Sequence, residues 1–244
     1  MNKRLVSIAV VSLSVSVACA LLVVLTSATD WLDGDYRFWA ATKRTCVVMP
    51  WAKKAGPGES RSVDLEWSGS DTVKVTIPAR VQYQPGPKAQ ASVSGDAELV
   101  GHVRLRDGTL ELDTTDDCFP TGDLVVRLTG PAVQEWTMHG SGKLDLSDIK
   151  QDTLRIAVHG SGAVTASGEV HEVSLRATGS GSADLSRLVT QQVSARISGS
   201  GEADLAPREE ADISISGSGN ARLHGAVARI HSHVSGSGQI KQVP

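Results

Sequence analysis

The sequence predicts an all-β protein, most of which is a right-handed parallel β-helix, that is, a solenoid with coils of about 19 residues. The triplet Gly-Ser-Gly occurs six times, at intervals of 18 to 20 residues, and a motif with so little drift is typical of stacked repeats. Apolar and polar residues alternate on both sides of each triplet, which is the period of a β-strand. The triplets begin at Gly140, Gly160, Gly179, Gly199, Gly217 and Gly236.

Alignment on the first Gly gives columns of side chains that are predicted to face one way. The positions six, four and two before it, and four and six after it, are mostly apolar and are predicted to face inward. Among them are Gln134, Ile230, Ser232 and Val234. The triplet is predicted to turn a corner, because Gly accepts positive φ. We expect the six central serines to form a hydroxyl ladder, and a variable connection to complete each coil.

The N-terminal residues predict an export segment. Lys3 and Arg4 precede an uncharged run, Leu5–Thr26, which is long enough to span a hydrocarbon core of about 30 Å. A retained signal anchor and a cleaved signal peptide both fit this run, and lipidation at Cys19 is a third alternative. All three place the rest of the chain outside the cytoplasm. An anchor would also make the membrane a partner of the N-terminal helix.

Three regions follow from these patterns. Residues 1–29 are predicted as the signal anchor or signal peptide, and residues 30–66 as an irregular juxtamembrane segment rich in breakers. Residues 67–244 are predicted as the β-helix domain. Its regular coils occupy 130–244, and the strands before them are short and alternate with period two.

The net charge and the cysteines limit which partners and which covalent links the chain is expected to have. The chain has a net charge of −3 and no basic block, so nucleic acid is not an expected partner. Cys46 and Cys118 lie outside the apolar run. In an exported protein such a pair is predicted as a disulfide, with two buried free thiols as the alternative.

Several outward side chains are candidates for binding. They are His139, His159, Arg176, Arg196, Asp184, Asp204, His231 and His233. The two aspartates stack on neighbouring coils with a spacing that suits a retaining glycosidase, and the histidine pairs suggest zinc. Repeats stack like residues by default, however, so we predict no catalytic residue, no metal and no cofactor.

The segment Ile197–Leu205, with its pattern Val/Ile-x-Gly-Ser-Gly-x-Ala-Asp-Leu, resembles the bacterial family named "putative auto-transporter adhesin, head GIN domain". Asp71–Leu112 is similar to the opening strands of that family. The resemblance covers roughly residues 65–243 and implies an exported β-helical protein of the cell envelope. It brings no catalytic residues.

The function we expect is therefore non-enzymatic. A β-helix in the bacterial cell envelope, periplasmic or on the surface, would present polar columns that bind a glycan or an envelope protein. Two alternatives stay open: a polysaccharide-active enzyme that uses Asp184 and Asp204, and a structural protein that assembles into a homo-oligomer through its solenoid ends.

Overall fold

The computed structural model describes residues 60–113 and 123–244, which fold almost entirely as β-strands. Seven strands and one short helix precede the regular coils. They are β1 (Ser60–Leu65), β2 (Thr72–Val75), β3 (Arg80–Pro85), β4 (Gln90–Asp96), α1 (Ala97–Val100), β5 (Val103–Arg106), β6 (Thr109–Leu112) and β7 (Leu124–Gly130). The first strand begins inside the segment 30–66 that the sequence predicted as irregular.

Eight further strands build the regular coils, and every pairing among them is parallel. They are β8 (Glu135–Gly140), β9 (Lys143–Gly160), β10 (Ala163–Gly179), β11 (Ser182–Gly199), β12 (Glu202–Gly217), β13 (Asn220–His224), β14 (Arg229–Gly236) and β15 (Gln239–Val243). Like positions of successive coils are register partners, as His139 and His159 are. The predicted solenoid is confirmed.

Each long strand contains three paired segments, separated by register shifts or by single unpaired residues. In β10 the pairing with β9 shifts between Ala166 and Gly168 and resumes through Val170. The predicted variable connection is thus itself strand, because pairing with the neighbouring coils satisfies its backbone groups. We call the outward side chains before each triplet face 1, those after each triplet face 2, and those of the short third segment face 3.

The Gly-Ser-Gly corners stack through their backbones. Gly160 has φ +120°, and a Cβ there would lie 2.7 Å from the carbonyl oxygen of Gly140. The backbone N–H of Ser161 donates to that same oxygen at 3.0 Å. The predicted hydroxyl ladder is wrong: within the described residues the central serines are exposed, their hydroxyls form no hydrogen bond to the protein, and the ladder runs through backbone groups.

The predicted inward columns form one continuous core. Side chains such as Leu154, Leu175 and Ile215 are buried in successive coils. Towards the N-terminal side the core holds Tyr83, whose ring lies 5.1 Å from that of Trp136 and whose hydroxyl donates to the carbonyl of Pro131 at 2.7 Å. The alternation of apolar and polar residues was therefore sufficient to predict the core of the regular coils.

Four positions in those columns are exposed. Gln134 is exposed because it precedes β8, and Val133 is buried next to it. Ile230, Ser232 and Val234 are exposed, with Ile230 and Val234 each 40% accessible, because β14 pairs with β12 alone and no described strand covers its other edge. The inward prediction was wrong at these four positions.

A coil without a triplet precedes the first Gly-Ser-Gly corner. Strand β2 pairs with β8 and β3 pairs with β9, both in parallel, so Ile77-Pro78-Ala79 occupies the corner position. The N–H of Lys143 donates to the carbonyl of Ala79 at 2.9 Å. Beyond β3 the sheet continues through β7, β4 and β1, and beyond β2 through β6 and β5, with antiparallel pairs at the outer edges.

Within residues 60–113 and 123–244, no helix combines the length and the apolar character needed to cross a membrane. The apolar run Leu5–Thr26, Cys46 and Cys118 all lie outside the described residues, as do the predicted anchor and disulfide.

Candidate binding surfaces

Face 1 carries a pair of stacked histidines. The rings of His139 and His159, one coil apart, have centroids 5.0 Å apart and an interplanar angle of 20°. Partial burial lowers the pKa of His139, and the nearby charges of His159 and Lys74 lower it further. Thr178 and Ser198 continue the same column on the next two coils. The pair therefore offers a flat ring surface, and the environment of His139 disfavours the protonation of that residue.

Arginines occupy the middle of face 1. Arg176 and Arg196 are exposed and are direct register partners on β10 and β11. Arg155 is exposed on the preceding coil, where its register partners are Ser174 on β10 and Glu135 on β8. None of the three arginines has an ion pair or hydrogen bond within the described part of the chain. Like charges directly opposite each other on neighbouring strands are destabilising, so this arrangement attracts anions.

His231 and His233 lie at the far end of face 1, on β14. Both are exposed, and their register partners on β12 are Asp212 and Ser214 respectively. In the described residues no group of three or more His, Cys, Asp or Glu side chains is arranged to hold a metal ion. His231 and His233 are separated from the His139–His159 pair by the coils that carry Arg176 and Arg196.

Face 2 contains the predicted aspartate pair. Asp184 and Asp204 are register partners, as the repeat implied. However, Asp184 accepts hydrogen bonds from the N–H and hydroxyl of Ser186 at 3.1 and 2.6 Å. Asp204 accepts from Arg222 and from His224, and these bonds lower its pKa, the Arg222 bond most of all. A general acid needs a raised pKa, so Asp204 is poorly suited to that role.

Arg222 and His224 were not among the candidates from the sequence. Arg222 stands in the same column as Asp204, one coil later. It also bonds to Glu202 at 3.3 Å. Column alignment would have found this contact if residues of opposite charge on successive coils had been scored as pairs.

An open polar groove of about 690 Å³ follows face 3. Its lining includes Lys150, Asp152, Glu169, His171 and Gln191 from three successive coils. Beside it, the side-chain amide of Gln151 donates to the carbonyls of Val133 and Thr153 at 3.1 and 2.7 Å. The groove mixes donors and acceptors and has no dominant charge.

A β-solenoid that displays aligned polar columns defines the class of this protein. More specifically, the chain belongs to the family described as "Putative auto-transporter adhesin, head GIN domain", whose model matches residues 70–242. The resemblance noted in the sequence is thereby confirmed. No curated protein matches the chain significantly.

Solved structures resemble the fold. A "putative adhesin" from Bacteroides fragilis NCTC 9343 has 19% identity and a TM-score of 0.59, with 77% of this chain and 99% of that chain covered. A "putative lipid binding protein" from Parabacteroides distasonis ATCC 8503 has 20% identity and a TM-score of 0.51, with 77% and 98% covered. At such identities the likeness concerns the fold alone.

Proposed function

We propose that this protein is a non-enzymatic binding protein of the bacterial cell envelope, and that face 1 binds an acidic glycan. The observation that carries the proposal is the direct opposition of Arg176 and Arg196 on adjacent coils, with no acidic partner among the residues that the structure describes. A carboxylate placed between two guanidinium groups would form charge-assisted hydrogen bonds and offset their repulsion.

The surroundings of the two arginines favour an extended ligand over a small ion. Arg155 lies one coil before Arg176, and the ring pair of His139 and His159 lies beside it. Coils repeat at the strand spacing of about 4.8 Å, so Arg176 and Arg196 lie one above the other along the solenoid axis, and Arg155 lies one coil earlier and two residues away along the strand. A chain with several carboxylates could contact the aligned pair and Arg155 together, and each added contact would raise its affinity.

The family description and the name of the Bacteroides relative both contain the word adhesin. They support an extracellular or envelope location for this chain, in agreement with the predicted export segment. The Parabacteroides relative is named a lipid binding protein. A lipid surface is therefore the competing ligand that the experiment must separate from a glycan.

The enzyme alternative receives less support. The carboxylate of Asp204 is held by Arg222 and His224, and that of Asp184 by Ser186. Two carboxylates that serve a glycosidase need different protonation states, one of them with a raised pKa. The lowered pKa of Asp204 is the opposite of what its role as an acid would need.

The test uses the full-length chain and polygalacturonate, with fully methyl-esterified polygalacturonate as the neutral counterpart. We expect saturable binding of the acidic polymer only, weakened at least about tenfold in Arg176→Ala/Arg196→Ala and weakened by added salt. The matched control is Arg80→Ala/Lys143→Ala, which removes two cations from face 2. Equal binding of both polymers, an equal loss in both double variants, or preferential binding to neutral lipid vesicles would overturn the proposal.

A further inference from the structure

A cleft on face 2 concentrates cations at the N-terminal end of the solenoid. It has a volume of about 480 Å³ and lies beside the first two corners. Arg80, Arg127 and Lys143 line it with Asp123 as the one acid, and Gln82 and Ser141 contribute polar groups. In a chain of net charge −3, three cations around one concave surface form a local field of opposite sign, which concentrates anions.

Within the part of the chain that the structure describes, no side chain forms an ion pair with the three cations. Arg80 on β3 and Lys143 on β9 are direct register partners. Arg127 on β7 is the register partner of Gln82 on β3. All three are exposed, and none has an ion pair or hydrogen bond in residues 60–113 and 123–244. Asp123 has no such partner there either, so it does not hold any of them.

Elsewhere on face 2 the chain relieves the same kind of conflict. Asp184 and Asp204 are also like charges in register, but Arg222 and His224 hold the second carboxylate. Among the described residues, no acidic side chain bonds to Arg80 or Lys143. Asp145 lies two residues after Lys143 on the same side of β9, opposite Gln82, and is not part of the cleft lining. A bound anion would therefore reduce the repulsion between Arg80 and Lys143.

The backbone adds a free donor. In each later triplet the N–H of the central serine donates to the first Gly of the preceding coil, as Ser161 does to Gly140 at 3.0 Å. Ser141 belongs to the first triplet, and the corner before it is Ile77-Pro78-Ala79. Its N–H therefore lacks this partner and makes no other hydrogen bond to the described residues. Ser141 lines the cleft, so its N–H and hydroxyl are both available there.

We propose that this cleft is a phosphate-binding site, in which Arg80, Arg127 and Lys143 surround the anion and the N–H of Ser141 donates to one of its oxygens. Planar guanidinium forks and a lysine ammonium are the side chains that recognise phosphate, and unpaired backbone N–H groups at a turn form anion-binding concavities. The phosphate can belong to a soluble phosphate ester or to a lipid headgroup. The site is independent of Arg176 and Arg196 on face 1.

The experiment measures binding to the full-length chain by calorimetry with two probes. One is inorganic phosphate, titrated against sodium chloride of equal ionic strength; the other is phosphatidylcholine vesicles with or without phosphatidic acid. We expect saturable binding of at least one phosphate form, with an affinity that is at least about tenfold weaker in Arg80→Ala/Lys143→Ala. Binding of inorganic phosphate indicates a soluble ester, and binding only of phosphatidic acid vesicles indicates a lipid headgroup. Either outcome supports the site.

Two further variants define the mechanism. Arg176→Ala/Arg196→Ala, which removes two opposed cations from face 1, is the matched control and should bind phosphate as the unaltered chain does. Ser141→Ala keeps the N–H and should lose much less affinity than the double variant on face 2. Thermal unfolding without phosphate checks the fold: removing the repulsion should leave the unfolding temperature of Arg80→Ala/Lys143→Ala unchanged or higher.

If inorganic phosphate binds, it should raise the unfolding temperature of the unaltered chain and not that of Arg80→Ala/Lys143→Ala. No saturable binding of either probe, or an equal loss of affinity in both double variants, would overturn the proposal. These results are separable from the glycan experiment, because each double variant serves as the control for the other face.

Discussion

Asp204 and Arg222 form a bidentate ion pair between successive coils, from Nε to Oδ1 at 2.7 Å and from Nη2 to Oδ2 at 3.1 Å. His224 adds a contact to Oδ1 at 3.0 Å. The aspartate side chain is 20% accessible, so solvent screens the pair less than a fully exposed one. The interaction joins β12 to β13 at the point where the long strands give way to short ones.

We predict that Asp204→Asn lowers the unfolding temperature by a few degrees at pH 7, because the charge of the pair is lost. The folded state lowers the pKa of Asp204 below its usual value of about 3.8. Its stabilisation is therefore complete above that value and disappears as the pH falls through the folded pKa. The difference between variant and unaltered chain should shrink towards pH 2 in thermal unfolding. Asp184→Asn, whose partner is uncharged, is the control, and a difference that does not change with pH would contradict the prediction.

The corners provide a second prediction. Gly140 and Gly160 both have positive φ, +92° and +120°, but a Cβ at Gly160 would lie 2.7 Å from the carbonyl oxygen of Gly140, whereas Gly140 has open space around it. We expect Gly140→Ala to cost about 1 kcal/mol of unfolding free energy from φ strain alone and Gly160→Ala more than about 3 kcal/mol. Denaturant unfolding of both variants measures the difference. Equal costs would mean that coil stacking tolerates a methyl group.

The contrast between central and terminal coils yields a third prediction. Leu175 is 1% accessible in β10, whereas Ile230 is 40% accessible in β14. Leu175→Ala should lower the unfolding free energy by about 2–5 kcal/mol, because it removes buried apolar surface and leaves a cavity. Ile230→Ala should cost less than about 1 kcal/mol in the monomer. A large cost at Ile230 would indicate that β14 is covered in solution, and sedimentation analysis would then show whether a second copy covers it.

The sequence was most informative where the coils repeat. The triplets and the alternation around them were enough to predict that Ile156, Leu175 and Ile213 face one core, because stacking like on like is what a solenoid requires. The same logic failed at Ile230 and Val234, whose burial depends on a further neighbour. Alternation within a strand reports which side a residue faces, not whether that side is covered.

The side-chain contacts were harder to predict. The pair of Asp204 and Arg222 depends on the register between two coils, and the cluster of Arg80 and Lys143 depends on a corner, Ile77-Pro78-Ala79, that lacks the triplet. The contact between Asp204 and Arg222 can be predicted from the opposite charges of two residues in one aligned column. The cluster of Arg80 and Lys143 can be predicted only if the pairing of β3 with β9 is known, because no repeat motif marks β3 as part of a coil.

The stacked histidines of face 1 provide the last prediction. Partial burial, the charge of His159 and the charge of Lys74 all lower the pKa of His139 below its usual value of about 6.5. A base with a lowered folded pKa makes the protein less stable as the pH falls from its unfolded value through its folded value. Stability should therefore decrease on acidification below about pH 6.5 through this residue.

We predict that the ring protons of His139 titrate below pH 6.5 in NMR spectra of the full-length chain, and that Lys74→Gln moves the midpoint upward by removing one repulsive charge. His159→Asn should move it further, because it removes a second charge and also exposes the ring. Lys150→Gln, which alters a cation on face 3, is the control and should leave the midpoint unchanged. A midpoint at or above 6.5 in the unaltered chain would show that the stacked pair does not disfavour protonation.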